Sequence, residues 1–88
     1  MVADLEIVND KGLHARASAQ FAAVAERYQS KICVSKDALT VNGASLMGLL
    51  MLVASKGSVI RVSATGADAG AAIEALRSLV ASRFGEAA

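Results

Sequence analysis

Val2-Ala3-Asp4-Leu5-Glu6-Ile7-Val8, near the start of the chain, alternates apolar with charged side chains. Every second residue from Ala3 to Ile7 is apolar, whereas Asp4 and Glu6 between them are charged. This period of two predicts a β-strand with one buried and one exposed face. Strands that are covered on both faces, as in parallel sheets, are instead continuously apolar. The stretch therefore indicates an antiparallel sheet with helices on one face and solvent on the other.

Beyond a polar loop at residues 9–12, the pattern predicts six more elements. They are a helix over 15–28, strands around Ile32–Val34 and Leu39–Val41 joined by a turn at 35–37, a short helix over 45–54, a fourth strand around Ile60–Ala64, and a final helix. Asp68 is the expected N-cap of that final helix. Its inward stripe consists of Ala69, Ala72, Ile73, Leu76, Val80 and Phe84. The order β-α-β-β-α-β-α predicts one α+β domain over residues 1–88, with a four-stranded antiparallel sheet covered on one face by three helices.

The composition excludes several classes of protein. The 88 residues include one cysteine and one histidine, too few for a disulfide framework or a zinc module. A net charge of +1 argues against a protein that binds nucleic acid. No apolar stretch approaches the about 20 residues of a membrane span, and the first residues lack the pattern of a secretory signal. We therefore expect a cytoplasmic protein that binds neither nucleic acid nor membrane and holds no metal or cofactor.

His14, the single histidine, lies between the glycine-containing loop and the first turn of a predicted helix. The first backbone N–H groups of a helix are unpaired, and the helix dipole favours an anion there. Arg16 adds a guanidinium that suits phosphate oxygens, and imidazole is a nucleophile near neutral pH. The arrangement suits a phosphohistidine, but a surface histidine without a chemical role has the same spacing. Apart from Asp10, no second acid or base is nearby, which argues against a self-contained hydrolase.

Ser45 precedes the short apolar helix, where an N-cap is its simplest role. A phosphate there would place negative charge beside an apolar surface, so a regulatory role also stays open. The helix is apolar all round, and we expect Leu49, Leu52 and Val53 to face the core. The side chains left outside would form a docking surface: Leu46, Met47, Leu50 and Met51. Complete burial of the helix is the alternative.

Gly12-Leu13-His14-Ala15-Arg16, with Gly43-Ala44-Ser45-Leu46-Met47-Gly48 about 30 residues later, resembles the HPr family. These proteins are the histidine-containing phosphocarriers of the bacterial phosphoenolpyruvate-dependent phosphotransferase system. The similarity extends over the whole chain in length, element order and the positions of both motifs. It implies an open-faced β-sandwich, with four antiparallel strands under three helices.

The resemblance implies a role for each motif. His14 would accept a phosphoryl group on Nδ1 from phosphorylated enzyme I and pass it to a histidine of an enzyme IIA-type domain, as a carrier and not an enzyme. Arg16, together with the backbone N–H groups of Ala15, Arg16 and Ala17, would stabilise the phosphate. Ser45 would be phosphorylated for regulation where an HPr kinase/phosphorylase is present. Docking would involve Leu46, Met47, Leu50 and Gln20. A monomer suits a carrier that visits two partners.

Two positions depart from the family's pattern. Ala17 stands where the family usually has proline, and it restores one amide donor in the first helical turn. Lys11 stands where many members carry a small polar residue, and it adds positive charge. Residues 12–18, 49–52 and 64–66 look more like the nitrogen-related regulatory branch than the sugar-uptake branch, whereas the context of Ser45 is similar to the kinase-regulated members. The preferred interpretation is a regulatory HPr that keeps the serine switch.

Two other functions compete with the phosphocarrier. One is an interaction module that works without a covalent step. The other is a small hydrolase of the acylphosphatase kind, which needs a glycine-rich phosphate loop and an asparagine that orients water. Asn9 and Asn42 lack that context, so the hydrolase is the weaker alternative.

Overall fold

The computed structural model describes residues 1–88 and contains four strands, three α-helices and a 3₁₀ turn. Their bounds are β1 Val2–Glu6, α1 Ala15–Glu26, β2 Lys31–Lys36, β3 Leu39–Asn42, α2 Leu46–Met51, β4 Val59–Thr65, α3 Ala69–Ala81, and the 3₁₀ turn Arg83–Gly85. The predicted order β-α-β-β-α-β-α and the predicted α+β class are confirmed. None of the helices has both the length and the apolar character that crossing a membrane requires.

The four strands form one open antiparallel sheet in the order β1-β4-β2-β3. Val62 on β4 pairs with Ala3 on one side and with Val34 on the other, so one buried apolar layer runs across three strands. On the opposite face Arg61 donates from Nε to Asp4 at 2.9 Å, and both side chains are exposed. The alternation in β1 and β4 thus separates a core face from an open face.

Helices α1 and α3 cover the core face of the sheet. Their largest fully buried side chains are Phe21, Ile73 and Leu76, and burial of each contributes roughly 1.5–3 kcal/mol. The predicted stripe of α3 is buried throughout. Helix α2 lies against α1 and β3 rather than under the sheet, and Leu49 is its one buried residue. The position of α2 therefore leaves much of its apolar surface exposed.

Strand β1 and the β2–β3 turn differ from their predicted bounds. Strand β1 ends at Glu6 and not at residue 8, because its partner β4 begins at Val59, opposite Glu6. Ile7 is still buried, and its N–H donates to the carbonyl of Ser58 at 2.8 Å. Strand β2 continues to Lys36, which pairs with Leu39, so the predicted turn at 35–37 begins two residues too early.

Both helices predicted before β4 end earlier than expected. Helix α1 ends at Glu26, because the N–H of Tyr28 turns to the carbonyl of Ala25 in a tighter i→i−3 bond of 3.3 Å. Helix α2 ends at Met51, three residues early, for the same reason. Val53 there has a left-handed φ of 49° and is 76% exposed, so the prediction that it faces the core is wrong. Leu52 and Ala54 are buried on either side of it.

The two ends of α3 also correct the sequence interpretation. Asp68 occupies the N-cap position, but its carboxylate makes no capping bond. It accepts instead from the backbone N–H groups of Gln29 and Ser30 at 2.8 and 2.9 Å, and so ties the α1–β2 connection to α3. At the other end α3 stops at Ala81, and Phe84 is buried from the following 3₁₀ turn. Asp68 therefore bonds to the α1–β2 connection and not to α3, and Phe84 enters the core from outside the helix.

Candidate functional site

The loop before α1 is held against the chain that follows α2. Gly12 has a φ of 66°, and a Cβ at this position would lie 2.6 Å from the carbonyl oxygen of Ala54. The next residue, Leu13, is buried and donates its N–H to that same oxygen at 2.8 Å. Only glycine allows this approach of two backbones without strain. The contact places His14 next to the end of α2.

His14 occupies the N-cap position of α1, with an extended φ of −74° and ψ of −178°. Its carbonyl accepts from Ser18 N–H at 2.8 Å, but its side chain makes no capping bond. The N–H groups of Ala15, Arg16 and Ala17 therefore have no partner inside the helix. These are the three amides that the sequence predicts for phosphate binding, and they lie at the positive end of the helix dipole.

The imidazole of His14 is engaged through one nitrogen. Nε2 contacts the Oε2 atom of Glu86, and the other carboxylate oxygen accepts from Nδ2 of Asn9 at 3.0 Å. Asn9 is fully buried, and its Nδ2 also donates to the carbonyl of Gly12 at 2.8 Å. The side chains of His14 and Glu86 are 27% and 16% exposed. A buried amide, a carboxylate and an imidazole thus form a chain that ends at His14.

The pKa of Glu86 is lowered, first by its hydrogen bond with His14 and then by that with Asn9. The charge of Lys11 also contributes. Glu86 is therefore ionised near neutral pH, and an ionised carboxylate can only accept hydrogen bonds. The contact with Nε2 is therefore a hydrogen bond only in the ring form that carries a proton on Nε2.

Sequence reasoning missed both Asn9 and Glu86. In the sequence Asn9 is one residue of a polar loop, and no pattern distinguishes it from its neighbours. Glu86 lies 72 residues from His14 and beyond the last periodic element. The nearest usable signal is Phe84, a large apolar residue close to the C-terminal end, which indicates that this segment packs back onto the domain.

Arg16 is exposed on the first turn of α1 and takes part in none of the ion pairs of the structure. Its guanidinium is therefore not neutralised by a carboxylate. Gln20, one helical turn further along, is half-buried. Arg16 and the three amides without helical partners give the amino end of α1 a positive character that suits an anion.

An apolar surface adjoins His14. A shallow depression beside the ring is lined by Lys11, Leu13, His14, Leu50, Val53, Ala54 and Ser55. On α2 itself Leu46 is 39% and Met47 68% exposed, Met51 is exposed as well, and Leu50 is half-buried. We call Leu46, Met47, Leu50, Met51 and Val53 the α2 patch. The prediction that part of α2 stays outside is confirmed, and Val53 joins it in place of facing the core. Gln20 does not line the depression.

Ser45 caps α2, as predicted. Its Oγ accepts from the N–H of Gly48 at 3.0 Å, and the side chain is half-buried. A Cβ on Gly48 would lie 3.0 Å from Cβ of Val41, so the glycine lets α2 approach β3. Ser45 thus lies at the end of α2 that begins the exposed patch, next to Leu46 and Met47.

The remaining polar groups offer no second catalytic cluster. Cys33 is a free, half-buried thiol, and no group of three or more His, Cys, Asp or Glu side chains could hold a metal ion. Asn42 uses its Oδ1 to accept from the N–H of Ala44 at 2.8 Å, whereas Asn9 donates from Nδ2 to Gly12 and Glu86 and its Oδ1 is buried without a partner. Neither asparagine therefore faces a phosphate loop as a hydrolase of the acylphosphatase kind would need.

Comparison with known proteins gives a consistent result. Residues 2–82 match the family model described as "PTS HPr component phosphorylation site". The phosphocarrier protein HPr of Neisseria meningitidis serogroup A is 48% identical over 82 residues, which cover 93% of this chain and 92% of the relative. The phosphocarrier protein NPr of Shewanella violacea is 38% identical over 81 residues, covering 92% and 89%. The crystal structure of HPr-C-His from Thermoanaerobacter tengcongensis superposes with a TM-score of 0.96 at 43% identity, covering 100% and 99% of the two chains.

Proposed function

Since the chain belongs to the HPr family, and is a phosphocarrier of the phosphotransferase system and not an enzyme, we propose that His14 is its phosphoryl-carrying residue. The proposal rests on the different environments of the two ring nitrogens of His14. Nε2 is held by Glu86, whereas Nδ1 makes no hydrogen bond and belongs to a ring seated at the open amino end of α1. His14 is also the single histidine of the chain.

Phosphoryl acceptance at Nδ1 needs no base from this chain. The Nδ1 lone pair forms the new N–P bond while the bond between phosphorus and the donor group of enzyme I breaks. The proton on Nε2 stays where it is, beside Glu86. In the second half of the relay a histidine of an enzyme IIA-type partner attacks the same phosphorus, and the bond to His14 breaks. The carrier returns to its starting state.

The amino end of α1 supplies the phosphate-binding groups in this proposal. The free N–H groups of Ala15, Arg16 and Ala17 face a negative charge favourably, and Arg16 offers an unpaired guanidinium. Ala17, in the place of the family's usual proline, adds one N–H to this set, at a residue that is itself fully buried. Binding an anion here neutralises a helix end that has no side-chain cap.

The α2 patch is the proposed docking surface for enzyme I and enzyme IIA-type domains. Leu46, Met47 and Leu50 adjoin the depression beside His14 or lie on the helix that forms it. Exposed methionines adapt to differently shaped partners, as a carrier with two partners requires. Gln20, on the neighbouring helix α1, would lie at the margin of this surface.

Ser45 is the proposed regulatory site. Phosphorylation would add negative charge at a helix amino end, where it is tolerated. That charge would lie next to Leu46 and Met47. Desolvating a phosphate against an apolar partner is unfavourable, so docking would weaken while the fold persists. An HPr kinase/phosphorylase would be the modifying partner.

The pathway and assembly of the carrier form part of the same proposal. The relative named NPr supports the nitrogen-related branch, and the more similar relative named HPr supports retention of the general carrier chemistry. A monomer fits a surface that must be free for two partners in turn. The cytoplasm fits the free thiol of Cys33.

A labelling experiment tests the role of His14. Incubation of the chain with labelled phosphoenolpyruvate and enzyme I should give an acid-labile, hydroxylamine-sensitive phosphate. His14→Ala should take up none, whereas the control Gln29→Ala, on the exposed α1–β2 connection, should label like the parent chain. A parent chain that takes up no label, or a labelled His14→Ala variant, would contradict the proposal. Full biological activity of His14→Ala would instead favour a non-covalent interaction module.

A further inference from the structure

Glu86 is anchored by the same loop that carries His14. Its Oε1 accepts from Nδ2 of Asn9 at 3.0 Å, and its Oε2 contacts Nε2 of His14. Asn9 has no exposed surface, and its second bond, to the carbonyl of Gly12, fixes the amide within the loop. Because both carboxylate oxygens are used, rotation of the Glu86 side chain would break at least one contact.

The backbone before Glu86 adopts a costly conformation to bring it there. Arg83 and Phe84 have φ values of 57° and 54°, and Gly85 has a φ of 78°. Left-handed non-glycine residues cost of order 1 kcal/mol each and persist when packing over-determines them. Phe84 is 3% exposed within the core, and Glu86 N–H donates to the carbonyl of Arg83 at 2.9 Å. The buried ring of Phe84 thus anchors the turn that brings Glu86 to His14.

We propose that Glu86, held by Asn9, is a positioning residue for phosphoryl transfer: it keeps the proton of His14 on Nε2 and so leaves Nδ1 as the nucleophile. The proposal rests on the phosphocarrier role of His14. When Nδ1 forms its bond to phosphorus and the donor's bond to phosphorus breaks, positive charge develops on the ring. The Glu86 carboxylate faces that charge through Nε2–H, where a preorganised anion stabilises it. No proton has to enter or leave.

The single histidine makes the first test direct. In chain labelled with ¹⁵N-histidine, the only imidazole signals come from His14. Above the pH at which the ring is protonated, the Nε2 signal should be of the protonated type and the Nδ1 signal of the unprotonated type. Glu86→Gln should move both signals toward a mixture of tautomers, because an amide offers Nε2 either an oxygen or an N–H group. Glu6→Gln, which removes the same charge from the open face of the sheet, should leave them unchanged.

Transfer kinetics give the second test. Glu86→Gln and Glu86→Ala should accept phosphate from enzyme I roughly tenfold more slowly, because no carboxylate then faces the positive charge that develops on the ring. The KM of enzyme I for the carrier should stay constant, because the α2 patch is intact. Unchanged ring signals, or an unchanged rate in both Glu86 variants, would overturn the positioning role. If the parent chain takes up no phosphate at all, the carrier role fails, yet the ring signals still report whether Glu86 sets the tautomer.

Discussion

The amino ends of α1 and α2 differ in how their unpaired backbone groups are used. At α2 the hydroxyl of Ser45 accepts from Gly48 N–H, so the N-cap residue satisfies one of the unpaired amides of the helix. At α1 the N-cap residue is His14, whose ring turns away to Glu86 and leaves the first amides open. A serine cap adds stability, whereas an uncapped end keeps donors available for a phosphate. The contrast is therefore between a helix end without a side-chain cap, at α1, and a helix end that its own N-cap residue satisfies, at α2.

The largest effect should come from the loop that holds the open end in place. Gly12→Ala introduces a side chain at a φ of 66° and 2.6 Å from the Ala54 carbonyl oxygen. We expect the free energy of unfolding to fall by about 3 kcal/mol and phosphoryl acceptance to fall with it, because His14 loses its place beside α2. Urea unfolding and the labelling assay measure the two effects.

Gly57→Ala is the matched control for this substitution. Gly57 has a φ of 91°, but a Cβ there would meet nothing within 4 Å. It should cost only the backbone strain, about 1 kcal/mol, and leave acceptance intact. Equal losses in the two variants would mean that the contact between Gly12 and Ala54 does not hold the site.

The closed end can be opened by one substitution. Ser45→Ala removes the bond to Gly48 N–H and should lower the free energy of unfolding by about 1 kcal/mol, measured in urea. Ser45→Asp should keep the cap, because a carboxylate also accepts from this N–H, yet slow phosphoryl acceptance through its charge beside the α2 patch. An Asp variant with a normal transfer rate and a lowered melting temperature would support a purely structural role for Ser45.

The open end can be closed in the same way. His14→Ser and His14→Ala both lose the contact with Glu86, but only serine can cap α1. We expect the serine variant to be more stable than the alanine variant by about 1 kcal/mol, and neither to carry phosphate. Thermal unfolding of the two variants isolates the cap, since everything else that they lose is the same. Equal stabilities would show that the end of α1 is already satisfied without a cap.

The smallest effects concern two carboxylates that act across the fold. The pKa of Asp68 is lowered, first by the Ser30 hydroxyl and then by Gln29 N–H, and the pKa of Glu86 is lowered, first by His14. A lowered folded pKa stabilises the protein above the ordinary values of 3.8 and 4.5, and this stabilisation is lost as the pH falls through the folded pKa.

Asp68→Asn and Glu86→Gln should therefore each reduce the loss of stability on acidification. The measurement is the urea midpoint across the acid range. Asp37→Asn, an exposed carboxylate in the β2–β3 turn, should leave the slope as it is in the parent chain. A parent-like acid slope in both the Asp68 and the Glu86 variants would contradict the assigned interactions.

Most of the fold could be predicted because its signals are local. The alternation in residues 2–8 and the buried stripe of α3 follow from the period of each element, and the class and order they predict are confirmed. Element ends were less accurate, since they depend on partners. Strand β1 stops where β4 begins, and α2 stops where Val53 takes a left-handed turn.

The candidate site was predictable to a different degree at each residue. His14 at a glycine loop before a helix, and Ser45 before another, have short-range signatures. For Met47 the sequence left both exposure and complete burial of α2 open, and the structure leaves 68% of it exposed. For Val53 the period of α2 predicts the wrong side, because its orientation depends on where α2 ends.

By itself the sequence determined the class of fold, the open face of the sheet, and a single histidine at the start of a helix. All of these follow from spacings of two to four residues along the chain. Only the tertiary structure decided what that histidine contacts. Glu86 reaches it across 72 residues because Phe84 is buried and the chain reverses beside it, and Asn9 donates to the other oxygen of the Glu86 carboxylate. Such contacts depend on how distant segments pack, and no local period records that packing.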